Sequence, residues 1–415
     1  FCQNNQLTSL DASNLSSLIV LICSNNQLTS LNITGMFNLQ ALECSTNQLT
    51  TMNLNGMGLS SLRGLSCSDN QLTSINVSGM TTLENLSCRN NQLTAVSVSG
   101  LVNLKSLDCS YNLLTSLSIA SLSNFEILYC NNNSITTLNL TGAMNSFNML
   151  NCTGNQLTTL NIPTLVNLAE LYCSNNQLTT LNTSNLLNLK TYDCSYNLMF
   201  SLNASGLPML EYLNCSYNQL TSLNVTNLAN LKGLGCNNNL LTSIDFTGLT
   251  SLTGLNFSYN ALPTADLSVI PNLKEVLAGH NQLTSLNVNG LVNLEQLLCM
   301  NNLLTSLNVS GLTSLKVLWC DENQLTALDL SGLVNLEQLT CGNNQIPSLN
   351  FTGLNALIYI YCPFNPIPVL NVNSLTNLQA LFCSDTLLTA LDVSGLTNLR
   401  NLQCANNAIP TLNVS

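Results

Sequence analysis

Hydrophobic residues recur along this chain at a set of positions that repeats about every 21 residues. Each unit reads roughly L-x-x-L-x-C-x-x-N-x-L-T-x-L-N-V-x-G-L-x-x, and the cysteine slot serves below as the anchor of the unit. The segment x-L-x-C-x alternates between apolar and variable positions, which predicts a short β-strand with one buried face. The anchors are Cys2, Cys23, Cys44, Cys67, Cys88, Cys109, Cys130, Cys152, Cys173, Cys194, Cys215, Cys236, Phe257, Ala278, Cys299, Cys320, Cys341, Cys362, Cys383 and Cys404.

Stacking these units side by side predicts a solenoid of about 20 coils with a parallel β-sheet on one face. The run LTSLNV alternates in part, so a second short strand is expected on the return side. A 21-residue unit leaves no room for a long helix there, and we expect extended or 3₁₀ returns and modest curvature. We interpret residues 1–415 as a single solenoid. Both ends fall inside a unit without a cap, so we expect a fragment of a longer chain.

The pattern L-x-x-L-x-C-x-x-N-x-L resembles the leucine-rich repeat, with cysteine in the third hydrophobic slot, and the resemblance covers the whole chain. Cysteine in that slot of a 21-residue unit is similar to the cysteine-ladder branch of the internalins, which are bacterial surface proteins. N-Q-L-T-x-L repeats are also typical of secreted and surface proteins of the Bacteroidetes. The resemblance implies an extracellular bacterial adhesion or interaction module, and it transfers no ligand-binding residue.

Two positions of the repeat, one mainly asparagine and the other mainly glycine, have a structural explanation. Asparagine stands three residues after the anchor in 19 of 20 units, and Thr386 is the exception. A buried amide that bonds backbone groups of its own and the next coil would account for this column. Twelve residues after the anchor, glycine stands in 12 units, and Asn14, Asn185 and Asn227 stand in three more. These two residue types tolerate positive φ best, so we predict a tight turn at that position.

The 18 cysteines follow neither the spacing of a disulfide framework nor that of a zinc site. In a parallel stack, neighbouring Cβ atoms would lie about 4.8 Å apart and point the same way. A disulfide needs Cβ atoms about 3.8 Å apart with converging directions. We therefore predict a column of buried free thiols that pack as small hydrophobic residues, with no metal or cofactor.

Composition narrows the classes of function. Charged residues make up 7% of the chain and the net charge is −11, which gives no electrostatic footprint for nucleic acid or for an anionic membrane. Apolar runs such as LIVLIC at residues 18–23 are too short for direct membrane insertion. Most basic residues lie four positions before the anchor and alternate with glutamates from coil to coil, which predicts a ladder of exposed ion pairs. His280, the only histidine, stands in no recognisable catalytic motif, so we expect no enzymatic activity.

Specificity is expected at the variable positions that flank the anchor, where aromatic residues form two groups. Exposed aromatic side chains on a rigid sheet are suited to binding a protein or to stacking on sugars. The alternative is that aromatic residues simply suit the surface of a β-sheet. The first patch comprises Trp319, Tyr359, Tyr361, Phe364 and Phe382, with Asp321 and Glu322 at its edge. The second comprises Tyr172, Tyr196, Tyr212 and Tyr217.

Three functions remain open at this point. The first is a non-enzymatic extracellular or cell-surface module that binds a protein or glycan through the sheet face. The second is a structural spacer or stalk of a large surface protein, which the alternating charges and near-identical units favour. A remote third is ice binding through the threonines six residues after the anchor, such as Thr29, Thr50 and Thr73, although Phe200 and several prolines interrupt that column.

Overall fold

The structure is a computed structural model that describes residues 1–120, 122–142, 144–162 and 164–414. These residues wind through successive turns of a parallel β-solenoid, as the repeat pattern predicts, and no helix occurs among them. The returns are short extended segments and turns. The chain divides into two compact units, Phe1–Met199 and Phe200–Ser415.

In the first unit, one strand from each coil joins a parallel main sheet in chain order. Pairs of coils also pair their return strands. The main strands are Val20–Ile22, Ala41–Glu43, Gly64–Ser66, Asn85–Ser87, Ser106–Asp108, Ile127–Tyr129, Met149–Asn151, Glu170–Tyr172 and Thr191–Asp193. The return strands are Ser9–Asp11, Ser30–Asn32, Thr51–Asn53, Ser74–Asn76, Ser116–Ser118 and Thr137–Asn139.

The second unit repeats this plan with its own parallel main sheet. Its main strands are Tyr212–Asn214, Gly233–Gly235, Gly254–Asn256, Glu275–Leu277, Gln296–Leu298, Val317–Trp319, Gln338–Thr340, Tyr359–Tyr361, Ala380–Phe382 and Asn401–Gln403. Its return strands are Ser201–Asn203, Ser222–Asn224, Thr264–Asp266, Ser285–Asn287, Leu391–Asp392 and Leu412–Asn413.

The register between neighbouring main strands is one full repeat, so equivalent residues of successive coils stand side by side. Leu318, for example, pairs with Leu339 and Leu339 with Ile360, and all three are fully buried. The residues on either side of this central leucine face away from the core. The sheet therefore presents two columns of variable side chains, three and one residues before the anchor.

A buried asparagine amide ties each coil to the coil before it. Asn344 Nδ2 lies 3.0 Å from the Cys320 carbonyl oxygen of the preceding coil and 3.1 Å from that of Cys341 in its own coil. Its Oδ1 accepts a hydrogen bond from the Leu325 N–H at 2.9 Å. The sequence predicted the role of the amide, but the coil that it reaches is the preceding one. The same set of bonds recurs at Asn47, Asn91, Asn176 and Asn323.

Thr386 shows what the amide contributes, because it lacks one. Its hydroxyl reaches the Cys383 carbonyl at 3.1 Å and Asn407 Oδ1 at 2.6 Å, both within its own coil or the next. In the preceding coil the Ile367 N–H, which elsewhere would donate to the amide oxygen, instead donates to the Asn365 carbonyl at 2.9 Å. Where the bridge between coils is absent, the backbone N–H is therefore satisfied by a carbonyl of its own coil.

A left-handed backbone position follows the anchor of every coil, and the sequence did not reveal it. The second residue after the anchor has φ between +51° and +66° in all 20 coils. The turn predicted 12 residues after the anchor is also present, as at Gly311 with φ +81° and Asn227 with φ +61°. Gly206 and Asn185 are exceptions there, because neither has a left-handed φ.

No disulfide joins any of the 18 cysteines, all of which lie among the described residues, and all but Cys2 and Cys404 are buried. Burial raises the pKa of the Cys299 and Cys341 thiols to about 12, with a smaller contribution from Asp321. Where the cysteine column is interrupted, Phe257 and Ala278 are both fully buried, and the Phe257 ring lies 6.2 Å from that of Phe246. The thiols therefore serve as small core side chains.

The predicted charge ladder forms at four contacts among the described residues. In the first unit Glu84 accepts from Arg63 at 2.6 Å and from Lys105 at 2.8 Å. In the second unit Lys232 contacts Glu211 at 2.5 Å, and Lys316 contacts Glu295 at 2.7 Å. These side chains are substantially exposed, so screening by solvent leaves each pair little net effect on stability.

The asparagine bridge predicts a sharp difference between adjacent residues. We expect Asn344→Ala to lower the free energy of unfolding by about 3 kcal/mol, because it leaves buried carbonyl groups and an N–H without hydrogen-bond partners. Gln345→Ala, at the exposed neighbouring position, should change it by less than about 0.5 kcal/mol. Urea denaturation followed by circular dichroism measures both. Equal effects of the two substitutions would contradict the assigned role of the amide.

The buried thiols predict a loss of stability in alkali. Their pKa is about 9 when unfolded and is raised on folding, so their contribution is fully present below about pH 9 and declines as the pH rises towards about 12. The decline is additive over many thiols and should therefore be steep. Urea midpoints compared at about pH 8 and about pH 10 test this. A urea midpoint at about pH 10 that is as high as the one at about pH 8 would argue against a buried thiol column.

Candidate binding cleft

The first aromatic patch lies on the outward face of the main sheet in the second unit. Trp319 is in register with Thr340, Thr340 with Tyr361 and Tyr361 with Phe382. Tyr359 lies in the other outward column of the same strand as Tyr361. Each of these aromatic side chains is partly exposed, so the sequence placed them correctly on the sheet surface.

The small residue between two aromatic neighbours creates a cleft of about 480 Å³. Thr340 is buried at its floor, and Trp319 and Tyr361 stand on the strands at either side. Because neighbouring strands lie about 4.8 Å apart, the backbones of these two aromatic residues are about 9.6 Å apart. The lining residues are Met300, Trp319, Asp321, Gln338, Thr340, Tyr359 and Tyr361.

The tyrosine wall is held in place by its neighbours. The Tyr359 and Tyr361 rings lie 5.5 Å and 6.0 Å from the Phe382 ring, centroid to centroid. Tyr361 also leans over Gly342, where an added Cβ would come within 2.7 Å of the ring. Phe382 therefore supports the wall from behind without lining the cleft, and Gly342 leaves the space into which Tyr361 leans.

The Asp321 carboxylate gives the cleft its charge. Asp321 Oδ1 accepts a hydrogen bond from the Thr340 hydroxyl at 2.5 Å, and no salt bridge to Asp321 occurs in the described part of the chain. Trp319 Nε1 is a buried donor with no acceptor among the described protein atoms. The cleft thus combines aromatic walls with a carboxylate that no basic side chain of the described residues neutralises, whereas the indole N–H is closed to solvent.

Glu322 and Phe364 stand on the left-handed position after their strands and do not line the cleft. Their φ values are +53°, and both side chains are exposed. Asn301 Nδ2 donates to Glu322 Oε2 at 2.5 Å. The structure thus separates these two residues from the cleft-lining members of the predicted patch. The preference for asparagine two residues after the anchor, in coils such as those of Asn301 and Asn343, was the available signal for this backbone shape.

The second predicted group is divided between the two units. In the first unit the Tyr172 hydroxyl donates to Glu170 Oε2 at 3.0 Å, and Tyr196 lies on the left-handed position, about half exposed. In the second unit Tyr212 is half exposed beside Gly233, and Tyr217 occupies a left-handed position. Whether these tyrosines bind a ligand stays a prediction.

Other surface features lack the combination of aromatic walls and a charged group that the cleft has. A groove of about 660 Å³ on the return side of the first unit has neither aromatic nor charged lining residues, and a smaller one on its sheet face has carboxylates but no aromatic wall. The His280 ring stacks on Tyr259 at 4.1 Å. The hydroxyls of Thr29 and Thr73 donate to main-chain carbonyls of the preceding coil.

Among the described residues, no three histidine, cysteine, aspartate or glutamate side chains are grouped as a metal site would need. The same residues include no helix of the length and apolar character needed to cross a bilayer.

Comparison with known proteins supports the leucine-rich repeat fold. A family model described as leucine rich repeats, in two copies, matches residues 313–356, and these contain most of the cleft. No curated protein sequence matches the chain. The solenoid has the leucine-rich repeat fold, and similarity to solved structures extends along most of the chain.

Three bacterial structures illustrate that similarity. The functional domain of InlJ from Listeria monocytogenes, which includes a cysteine ladder, is 25% identical over 91% of this chain and 70% of its own, with a TM-score of 0.55. A leucine-rich repeat protein of Leptospira interrogans is 27% identical over 78% and 90%, with a TM-score of 0.69. YopM from Yersinia enterocolitica is 25% identical over 96% and 81%, with a TM-score of 0.75.

Phe364 occupies a left-handed backbone position, which we expect to lower the free energy of unfolding. Asparagine tolerates this conformation better than phenylalanine, so we expect Phe364→Asn to raise the free energy of unfolding by about 1 kcal/mol. The reverse change one coil earlier, Asn343→Phe, should lower it by a similar amount. Urea denaturation measures both. A fall in stability for Phe364→Asn would show that ring contacts outweigh the backbone strain.

Proposed function

We propose that this chain is a non-enzymatic, extracellular interaction module of a bacterial surface or secreted protein, and that it binds a protein partner through the aromatic cleft of its second unit. The cleft carries the proposal, because its walls are large, partly exposed aromatic side chains on a rigid sheet. Binding energy at protein interfaces concentrates on such residues.

The similarity to InlJ supports the surface assignment, since the two chains share a cysteine ladder as well as a fold. The distribution of variable residues also supports it. Leucine, cysteine and asparagine are nearly constant because they close each coil, whereas Trp319, Asp321 and Tyr361 are not required by the coil. A glycan remains the second class of ligand, because aromatic side chains also stack on sugars.

A spacer or stalk is the second candidate function. The observation that favours it is the regularity of the bridging contacts, in particular the Glu84 carboxylate that pairs with basic residues of both neighbouring coils. A spacer needs this regularity and does not need a cleft. Loss of the cleft aromatics would leave its function unchanged.

Alanine substitution in the cleft distinguishes a binder from a spacer. Beads coated with the wild-type chain should adhere to a panel of epithelial and bacterial cells, and Trp319→Ala or Tyr361→Ala should reduce adhesion by about ten-fold or more. Tyr259→Ala, which removes an exposed tyrosine from a different coil of the same unit, serves as the matched control. Adhesion that is equal in all four proteins, or absent from the wild type, would favour the spacer.

A further inference from the structure

We propose that the cleft binds a cationic side chain, specifically the guanidinium group of an arginine in an exposed segment of the partner protein. This inference rests on the proposed function and specifies the chemistry that the cleft recognises. It follows from the shape of the cleft, from its charge and from the absence of a basic residue in its lining.

The width of the cleft suits a flat group. Trp319 and Tyr361 stand on strands about 9.6 Å apart, and Tyr361 leans over Gly342 towards the intervening strand. A planar group in contact with both rings needs about 7–8 Å between them. Guanidinium is planar and stacks on aromatic faces, whereas the ammonium of lysine is a compact, strongly hydrated charge.

The charge of the cleft is negative and lacks a counterion from the chain. Thr340 hydrogen-bonds to one oxygen of Asp321 and so holds the carboxylate in place at the cleft. Residues 300–383 contain four acidic side chains and one basic side chain, Lys316. Lys316 is already paired with Glu295 at 2.7 Å. A guanidinium stacked between the rings would supply the charge that Asp321 lacks.

The chain contains its own reporter for this test, because Trp319 is its only tryptophan. The intact chain is titrated with N-acetyl-arginine amide while tryptophan fluorescence is recorded. The neutral citrulline analogue and a neutral trisaccharide are titrated in parallel. We expect a saturable change with the arginine derivative and a dissociation constant about ten-fold or more weaker for citrulline.

Asp321→Asn is the decisive variant, because asparagine keeps the oxygen that accepts from Thr340 and removes the charge. It should weaken arginine binding about ten-fold or more and leave the urea midpoint unchanged. Asp193→Asn removes one charge from a main strand of the first unit and should leave arginine binding unchanged.

Three results would overturn the inference. They are equal responses to arginine and citrulline, a response to the trisaccharide alone, and no response to any probe. Failure here is distinct from failure of the proposed function. If Trp319→Ala abolishes adhesion while Asp321→Asn does not, the cleft is a binding site for a ligand other than a cation.

Discussion

The buried amide that bridges successive coils is the constraint on which the rest of this structure depends. A short parallel strand leaves backbone groups at its carboxyl end without partners, and burying them unpaired would cost about 1–3 kcal/mol for each group. Asn344 and its equivalents satisfy these groups on two coils at once. Where the amide is missing, at Thr386, the neighbouring backbone bonds to itself. The amide column thus fixes the register that aligns every other column, including the thiols and the charges.

Because the coils stack regularly, the side chains that face outward from the sheet are not needed to form the core. The central leucine and the anchor of each coil hold the core, so the residues beside them can vary without loss of the fold. The left-handed position after the strand shows how far this tolerance extends. It accepts tyrosine, glutamate and phenylalanine, at Tyr259, Glu322 and Phe364, although asparagine fits the backbone better. A scaffold with strong, repeated bridges can carry such strain locally.

Much of this architecture could be predicted from the sequence, because each structural role recurs about 20 times in the same column. The alternation around the anchor predicted the strand, and the lone cysteine predicted a free thiol. Two features could not be read in this way. The left-handed position was hidden because bulky residues occupy it in several coils. The cleft depends on a contrast between neighbouring coils, with Thr340 and Gly342 small beside Trp319 and Tyr361, and only the register shows that these residues are adjacent.

The central claim is that constant positions build the coil and that the cleft in the second unit binds a partner. The most direct measurement is a crystal structure of the chain soaked in N-acetyl-arginine amide. The account predicts density for a planar group between the Trp319 and Tyr361 rings, about 3 Å from the Asp321 carboxylate. Ligand density found only outside the cleft, in crystals whose cleft is open to solvent, would contradict it.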